Sequence, residues 1–133
     1  MEKKNIDWSS IGFAYMPTDY RYVSNFKDGK WDEGTLSTDP NIVLNECAGV
    51  LQYSQSVFEG LKAYTTEDGH IVTFRPDLNA ERIAASAARL EMPVFPKERF
   101  IDAVEQVVKA NAAWVPPYGS KSIEKELEKA AKD

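Results

Sequence analysis

The chain is poor in residues with dedicated chemistry: of its 133 residues, one is cysteine (Cys47) and one is histidine (His70). One thiol excludes an internal disulfide and a thiolate cluster, and one imidazole excludes a multi-histidine metal site. Cys47 is expected to pack as a small buried hydrophobe, as free cysteines commonly do. His70 follows a turn signal and is expected in a solvated loop, which argues against a cysteine–histidine nucleophile pair. Long apolar runs are also missing. None reaches the roughly 20 residues of a membrane span, and residues 1–7 lack the apolar stretch of a secretory signal, so a soluble, cytoplasmic protein is expected. Positive charge is in short supply too: 16 Lys and Arg against 21 Asp and Glu leave a net charge of −5, without a basic stripe. Nucleic acid is therefore not expected as a partner. There is no P-loop glycine run, no His-Glu pair at metal spacing and no nucleophile elbow.

What is present suits one core. A hydrophobic content of 43% and an aromatic content of 11% over this length support a single domain, and the chain is too short for two. Residues 8–45 are rich in Gly, Asp, Tyr and Trp, with turn signals at Met16-Pro17-Thr18-Asp19, Lys27-Asp28-Gly29-Lys30 and Thr38-Asp39-Pro40-Asn41. Short strands are expected between them, including Tyr20-Arg21-Tyr22-Val23 and Ile42-Val43-Leu44, whose β-branched and aromatic residues favour extended backbone. The clearest signal is a hairpin. Leu61-Lys62-Ala63-Tyr64-Thr65 and His70-Ile71-Val72-Thr73-Phe74 flank Glu67-Asp68-Gly69, where Asp-Gly supplies the positive φ of a tight turn. Leu61, Ala63 and Thr65 then share one face, and Lys62 and Tyr64 the other.

Arg75-Pro76-Asp77-Leu78-Asn79 predicts a helix start, with Pro in the first turn and Asp or Asn capping free N–H groups. This helix is expected to run to about Leu90. Leu78, Ile83, Ala87 and Leu90 fall near one face, and Ala80, Ala84, Ala85, Ser86 and Ala88 permit close approach to a sheet. The prolines of Met92-Pro93-Val94-Phe95-Pro96 break it. Phe100, Ile101, Val104, Val107, Val108 and Asn111 recur at helical spacing, so a second helix is expected from about Lys97, ending before Pro116-Pro117. The expected fold class is α+β, a mainly antiparallel sheet with two principal helices packed on it, plus a C-terminal helix. Residues 121–133 supply that last helix. Their strong helix formers and alternating charges, with a modest stripe of Ile123, Leu127, Ala130 and Ala131, resemble designed helices more than the rest of the chain. The expected division is a domain over residues 1–120 and a charged helical tail over 121–133.

Residue by residue, the chemistry stops at two features: the run Tyr53-Ser54-Gln55-Ser56-Val57-Phe58-Glu59-Gly60, and Arg82 and Arg89 on an alanine-rich helix. A turn and two solvated arginines account for both without any function. The same residues nevertheless carry an extended likeness. Leu51-Gln52-Tyr53 through Glu59-Gly60-Leu61-Lys62-Ala63-Tyr64, followed by Phe74-Arg75-Pro76-Asp77-Leu78-Asn79-Ala80-Glu81-Arg82, resembles the signature run of fold-type IV branched-chain amino acid aminotransferases. Asn25-Phe26-Lys27-Asp28-Gly29-Lys30-Trp31-Asp32-Glu33-Gly34 before it is similar to that family too. So are Arg89-Leu90-Glu91-Met92-Pro93 and Trp114-Val115-Pro116-Pro117-Tyr118-Gly119-Ser120 after it, in the same order. The likeness covers about residues 11–120, so residues 1–120 are expected to form an aminotransferase-like small domain.

The resemblance implies pyridoxal 5'-phosphate as the cofactor of the parent family and amino transfer between leucine, isoleucine or valine and 2-oxoglutarate as its reaction. It implies that Arg82 binds the cofactor phosphate; a planar guanidinium suits a phosphate, and a place one turn into a helix adds the free N–H end. It places Phe13, Tyr53 and Phe58 in the substrate pocket, where aromatic walls suit a branched aliphatic side chain. It also implies a homodimer in which some of these residues reach the neighbouring active site. Lys62 stands where relatives often carry Arg and is not the Schiff-base lysine. That lysine belongs to a large domain absent from these 133 residues, so no catalytic residue is assigned and the chain alone is expected to be inactive, holding cofactor weakly at best. Two other readings stay open. One is a non-enzymatic scaffold or interaction module, which an exposed apolar patch would favour. The other is a D-amino acid aminotransferase or aminodeoxychorismate lyase, which share the fold, although the Trp114–Ser120 run and the Phe13 segment resemble the branched-chain type.

Overall fold

In the computed structural model, which describes residues 2–12 and 14–120, the strongest local sequence signal forms the hairpin it predicts. Strands β1 (Arg21–Val23), β2 (Phe26–Lys27), β3 (Lys30–Trp31) and β4 (Thr35–Ser37) precede it in the chain. A short helix α1 (Gly49–Tyr53) leads into the hairpin strands β5 (Ala63–Thr65) and β6 (Ile71–Thr73). Two long helices, α2 (Pro76–Arg89) and α3 (Lys97–Ala110), complete the order, with 3-10 turns at Trp8–Ser10 and Ala112–Trp114. The α+β class is therefore observed, its sheet content divided into three antiparallel pairs, β1–β4, β2–β3 and β5–β6. Phe13 and the helix expected over 121–133 lie outside the described residues.

In the β5–β6 pair, Ala63 faces Thr73, Tyr64 faces Val72 and Thr65 faces Ile71. Gly69, at φ +85°, closes the turn by donating its N–H to the Thr66 carbonyl at 3.0 Å, and Thr66 N–H reaches the His70 carbonyl at 2.8 Å. The expected alternation holds on β6, where Ile71 and Thr73 are half-buried and Val72 is exposed, but not along β5: Lys62 just before it is exposed, yet Tyr64, expected on the same face as Lys62, is half-buried like Ala63, and Thr65 is buried. The β2–β3 hairpin uses the second Asp-Gly pair, with Asp28 at φ 53° and Gly29 at φ 79°, the two positive φ values of a type I′ turn.

Asp32 organises the corner that follows. Its carboxylate accepts the N–H groups of Asn25 and Gly34, each at 3.0 Å, and the Ser24 hydroxyl at 2.9 Å. These donors, Asn25 foremost, hold its pKa below the usual aspartate range. Trp31 then ties this corner to the helices. Its ring meets Phe26 and Phe95 edge-on at centroid distances of 5.2 Å and 4.9 Å, and its indole N–H donates to the Val94 carbonyl at 3.0 Å.

Helices α2 and α3 pack on each other, and Ala80 and Ala87 are the buried apolar residues of α2. The prolines between the helices force the reversal. At the end of α3, Asn111 links it to β1: its side chain accepts Tyr20 N–H at 2.9 Å and donates to the Tyr20 carbonyl at 2.8 Å and the Val107 carbonyl at 2.9 Å. Lys3 crosses from the N-terminal segment to the Thr65 hydroxyl and the Ala112 carbonyl, so the hairpin and the end of α3 are tied to one more strand of chain.

Three expectations are corrected. Ile42-Val43-Leu44 forms no strand; Val43 is 95% exposed, and an Asp39 side chain capping Asn41 N–H turns the preceding chain away from any partner. Cys47 is exposed, because the Asn45 side chain accepts its N–H in a turn that faces solvent. The cap of α2 is not an Asp or Asn: Arg75 occupies that position in the left-handed region, and Asn79 points elsewhere. Asp77 instead pairs with Arg75 through two bonds of 2.9 Å and 2.7 Å, which lowers its pKa to about 2. Finally, α1 had no clear periodic signal, being a single turn and a half that ends at Ser54 in the left-handed region.

Gly34 has φ +73°, and a Cβ there would lie 2.0 Å from the Tyr22 hydroxyl, across the β1–β4 pair. Gly34→Ala is expected to destabilise the domain by about 1–3 kcal/mol in urea unfolding. Gly12→Ala, at a position with open space, should shift the midpoint little.

Candidate functional site

The segment between α1 and β5 runs along α2 and is fastened to it at two places. Gln55 donates its side-chain amide to the Leu90 carbonyl at the end of the helix, at 3.0 Å. Glu59 and Gly60 meet Asn79 and Arg82 nearer its start. Tyr53 precedes the stretch so held, and Phe58 lies within it.

Arg82 and Glu59 form a two-point ion pair, Nε to Oε2 at 3.1 Å and Nη2 to Oε1 at 2.6 Å. Asn79, one turn earlier on α2 and 6% exposed, donates to the same Oε1 at 2.7 Å and to the Gly60 carbonyl at 2.9 Å. The Glu59 side chain is only 10% exposed whereas that of Arg82 is 60% exposed, so the pair has a covered acidic end and an open basic end. The Arg82 hydrogen bond holds the Glu59 carboxyl below its usual range, Asn79 adds to the effect, and Glu59 raises the Arg82 pKa in return.

Of the residues singled out in the sequence, Arg82 is thus fixed beside the Phe58-Glu59-Gly60 run. It is the seventh residue of α2, not one turn in, so at 1.5 Å per residue it stands roughly 9 Å beyond the first position, past the turn whose N–H groups are free. Its anion-binding capacity is therefore its own guanidinium. Glu59 uses one edge of that group, and the fork geometry leaves a second edge, around Nη1, for a planar or tetrahedral oxyanion. Phe58 is 89% exposed with its ring against Gly60, where an added Cβ would sit 3.5 Å from Cζ. Tyr53 is 86% exposed at the end of α1. Among the described residues these two exposed aromatics do not enclose a pocket, and Phe13 is outside the described residues. Glu59 and Asn79 were not singled out in the sequence; the Phe-Glu-Gly run contained one of them, and helix-start chemistry gave the other a different role.

No group of His, Cys, Asp and Glu side chains among the described residues could hold a metal ion. Nor is any helix among them long and apolar enough to cross a membrane. A surface hollow of about 580 Å³ lies between β6 and α3 with Ile71, Ile101, Val104 and Val108 in its wall, and Arg82 does not line it.

No protein-family model matches the chain. Curated proteins do. A branched-chain-amino-acid aminotransferase of Haemophilus influenzae is 52% identical over 117 residues, which are 88% of this chain and 34% of that protein. One of Helicobacter pylori is 43% identical over 117 residues, with the same coverage. A methionine aminotransferase of Arabidopsis thaliana is 44% identical over 120 residues, 90% of this chain and 34% of its own length. The chain therefore spans about a third of the length of the curated relatives it matches. Identity at this level over nearly the whole chain makes it a homologue of the class IV aminotransferases. Within them, it corresponds to the N-terminal part of the branched-chain enzymes.

Because the folded-state pKa of Glu59 lies below its ordinary 4.5, the pair stabilises the fold above that pH and the contribution fades as the carboxylate is protonated below it. Glu59→Gln should lower the unfolding midpoint at pH 7 and make it less sensitive to acid below pH 4.5. Thermal unfolding of both proteins from pH 7 to pH 3 measures this; parallel curves would mean the ion pair adds no pH-dependent stability.

Proposed function

We propose that these residues are the small domain of a pyridoxal-phosphate-dependent branched-chain aminotransferase and contribute the phosphate side of its active site. The observation that carries this reading is Arg82, fixed by Glu59 yet open on its other edge, at the position where the resemblance expects the phosphate arginine. The identity to aminotransferases over about nine-tenths of the chain supports it. When bound, pyridoxal phosphate would supply the electron sink for moving an amino group between an amino acid and a 2-oxo acid.

The chain's own residues would do two things. Arg82 would donate to phosphate oxygens, where a charge-assisted hydrogen bond is worth about 1.5–3 kcal/mol. Tyr53, Phe58 and Phe13 would offer apolar surface to the substrate side chain and keep water from it once a covering surface encloses them. The present exposure of Tyr53 and Phe58 fits a half-site that closes against more protein, whether a further domain or the second subunit of a homodimer. The substrates would be leucine, isoleucine or valine with 2-oxoglutarate; the methionine aminotransferase among the relatives carries the same idea to an unbranched apolar side chain. The lysine that holds the cofactor covalently would lie in the two-thirds of the relatives' length outside this chain's coverage, so the 133 residues alone would not transaminate. An exposed free thiol at Cys47 suits the reducing cytoplasm, although other relatives are named chloroplastic or mitochondrial.

A second reading has its own observation. Ile42, Val43, Phe58 and Phe74 are each more than 70% exposed, the surface of a module that docks on a partner.

Incubation of the 133-residue chain with pyridoxal phosphate, borohydride reduction and peptide mass spectrometry tests the cofactor assignment. Scattered substoichiometric labelling is expected, together with no turnover of leucine and 2-oxoglutarate. A stoichiometric adduct on one lysine would overturn the placement of the cofactor-holding lysine outside these residues.

A further inference from the structure

We propose that Glu59 and Asn79 are positioning residues, which hold the Arg82 guanidinium in one orientation so that its open edge is presented to the phosphate of a ligand. The inference rests on the phosphate reading of Arg82 and adds to it a cause for the arginine's aim. An arginine 60% exposed on a helix has several rotatable bonds and no reason to keep one direction. Here two parallel contacts, at 3.1 Å and 2.6 Å, define both the position and the plane of the guanidinium. The carboxylate making them is itself held. Asn79, buried in α2, donates to Glu59 Oε1 and, with the same amide nitrogen, to the Gly60 carbonyl, so the backbone that carries Glu59 is pinned to the helix that carries Arg82. Helix, loop and both side chains form one closed set of contacts.

Elementary electrostatics gives the opposite expectation. A carboxylate beside an anion site repels the anion, so removing its charge should tighten phosphate binding. Positioning predicts the reverse sign: an arginine that loses its carboxylate partner must be ordered by the ligand, at an entropic cost, and binds more weakly. The sign of one measurement therefore separates the two.

The test uses the full chain labelled with nitrogen-15, following the Arg82 Nε–Hε resonance, assigned by its loss in Arg82→Ala, during titration with inorganic phosphate and with pyridoxal phosphate. The wild-type resonance is expected to move with both probes. In Glu59→Gln the dissociation constant should rise about tenfold, and before any ligand is added the resonance should shift toward that of a solvated arginine. Asn79→Ala keeps the negative charge and loosens the carboxylate together with the Gly60 backbone beside it; it should weaken binding in the same direction, and it carries the test if Glu59→Gln does not fold by circular dichroism. Unchanged or tighter binding in a folded Glu59→Gln or Asn79→Ala, with a wild-type resonance that still responds, would overturn the positioning role and leave the phosphate reading standing. A wild-type resonance indifferent to both probes would overturn the phosphate reading and the positioning role with it.

Discussion

The close packing of α2 on α3 is the constraint from which the remaining geometry follows. Ala80 and Ala87 are buried in α2, and a methyl group is all that the chain places there. Larger residues at these buried positions would have to displace their neighbours, and such overpacking commonly costs about 1–3 kcal/mol. With α2 set in this way, Asn79 and Arg82 face the loop that precedes β5, whereas Asn111 at the far end of α3 meets the backbone of Tyr20. The two asparagines play matching parts. Each is buried, and each uses its amide to bind an irregular stretch of chain to a helix, where a backbone ladder is unavailable.

How much of this could be read in the sequence depended on how local the cause was. The β5–β6 hairpin and the Asp28-Gly29 turn are decided within a few residues, because positive φ values need residues that tolerate them, and both formed where the Asp-Gly pairs stand. Prolines and helical spacing set both ends of α2 and the start of α3, which fell within a residue or two of expectation, whereas α3 ends at Ala110, well short of Pro116-Pro117. Ile42-Val43-Leu44 failed because β-branched composition is only a preference: a strand exists when another strand presents its edge, and β4 pairs with β1 instead. Cys47 failed for a related reason, since burial is a property of what lies opposite. Arg82 was legible through its place in an extended run of likeness, but its pairing with Glu59 spans 23 positions and no pattern of spacing announces it.

The site is unequal in its two halves. The polar half, comprising Glu59, Asn79, Gly60 and Arg82, is joined by hydrogen bonds within this chain and leaves one edge of Arg82 open. The apolar half, represented by Tyr53 and Phe58, is built but uncovered. Anion recognition by a guanidinium depends on direction and can be arranged by neighbours on the same helix and loop. Recognition of an aliphatic side chain depends on enclosure, which two exposed rings cannot provide by themselves.

No side chain among the described residues is both large and fully buried. The heat capacity gained on unfolding comes mainly from apolar surface that was hidden in the native state. With Ala80, Ala87, Ala112 and Val115 as the buried apolar residues among those described, that gain should be small for the length of the chain, giving a stability curve that changes slowly with temperature and a shallow dependence on denaturant.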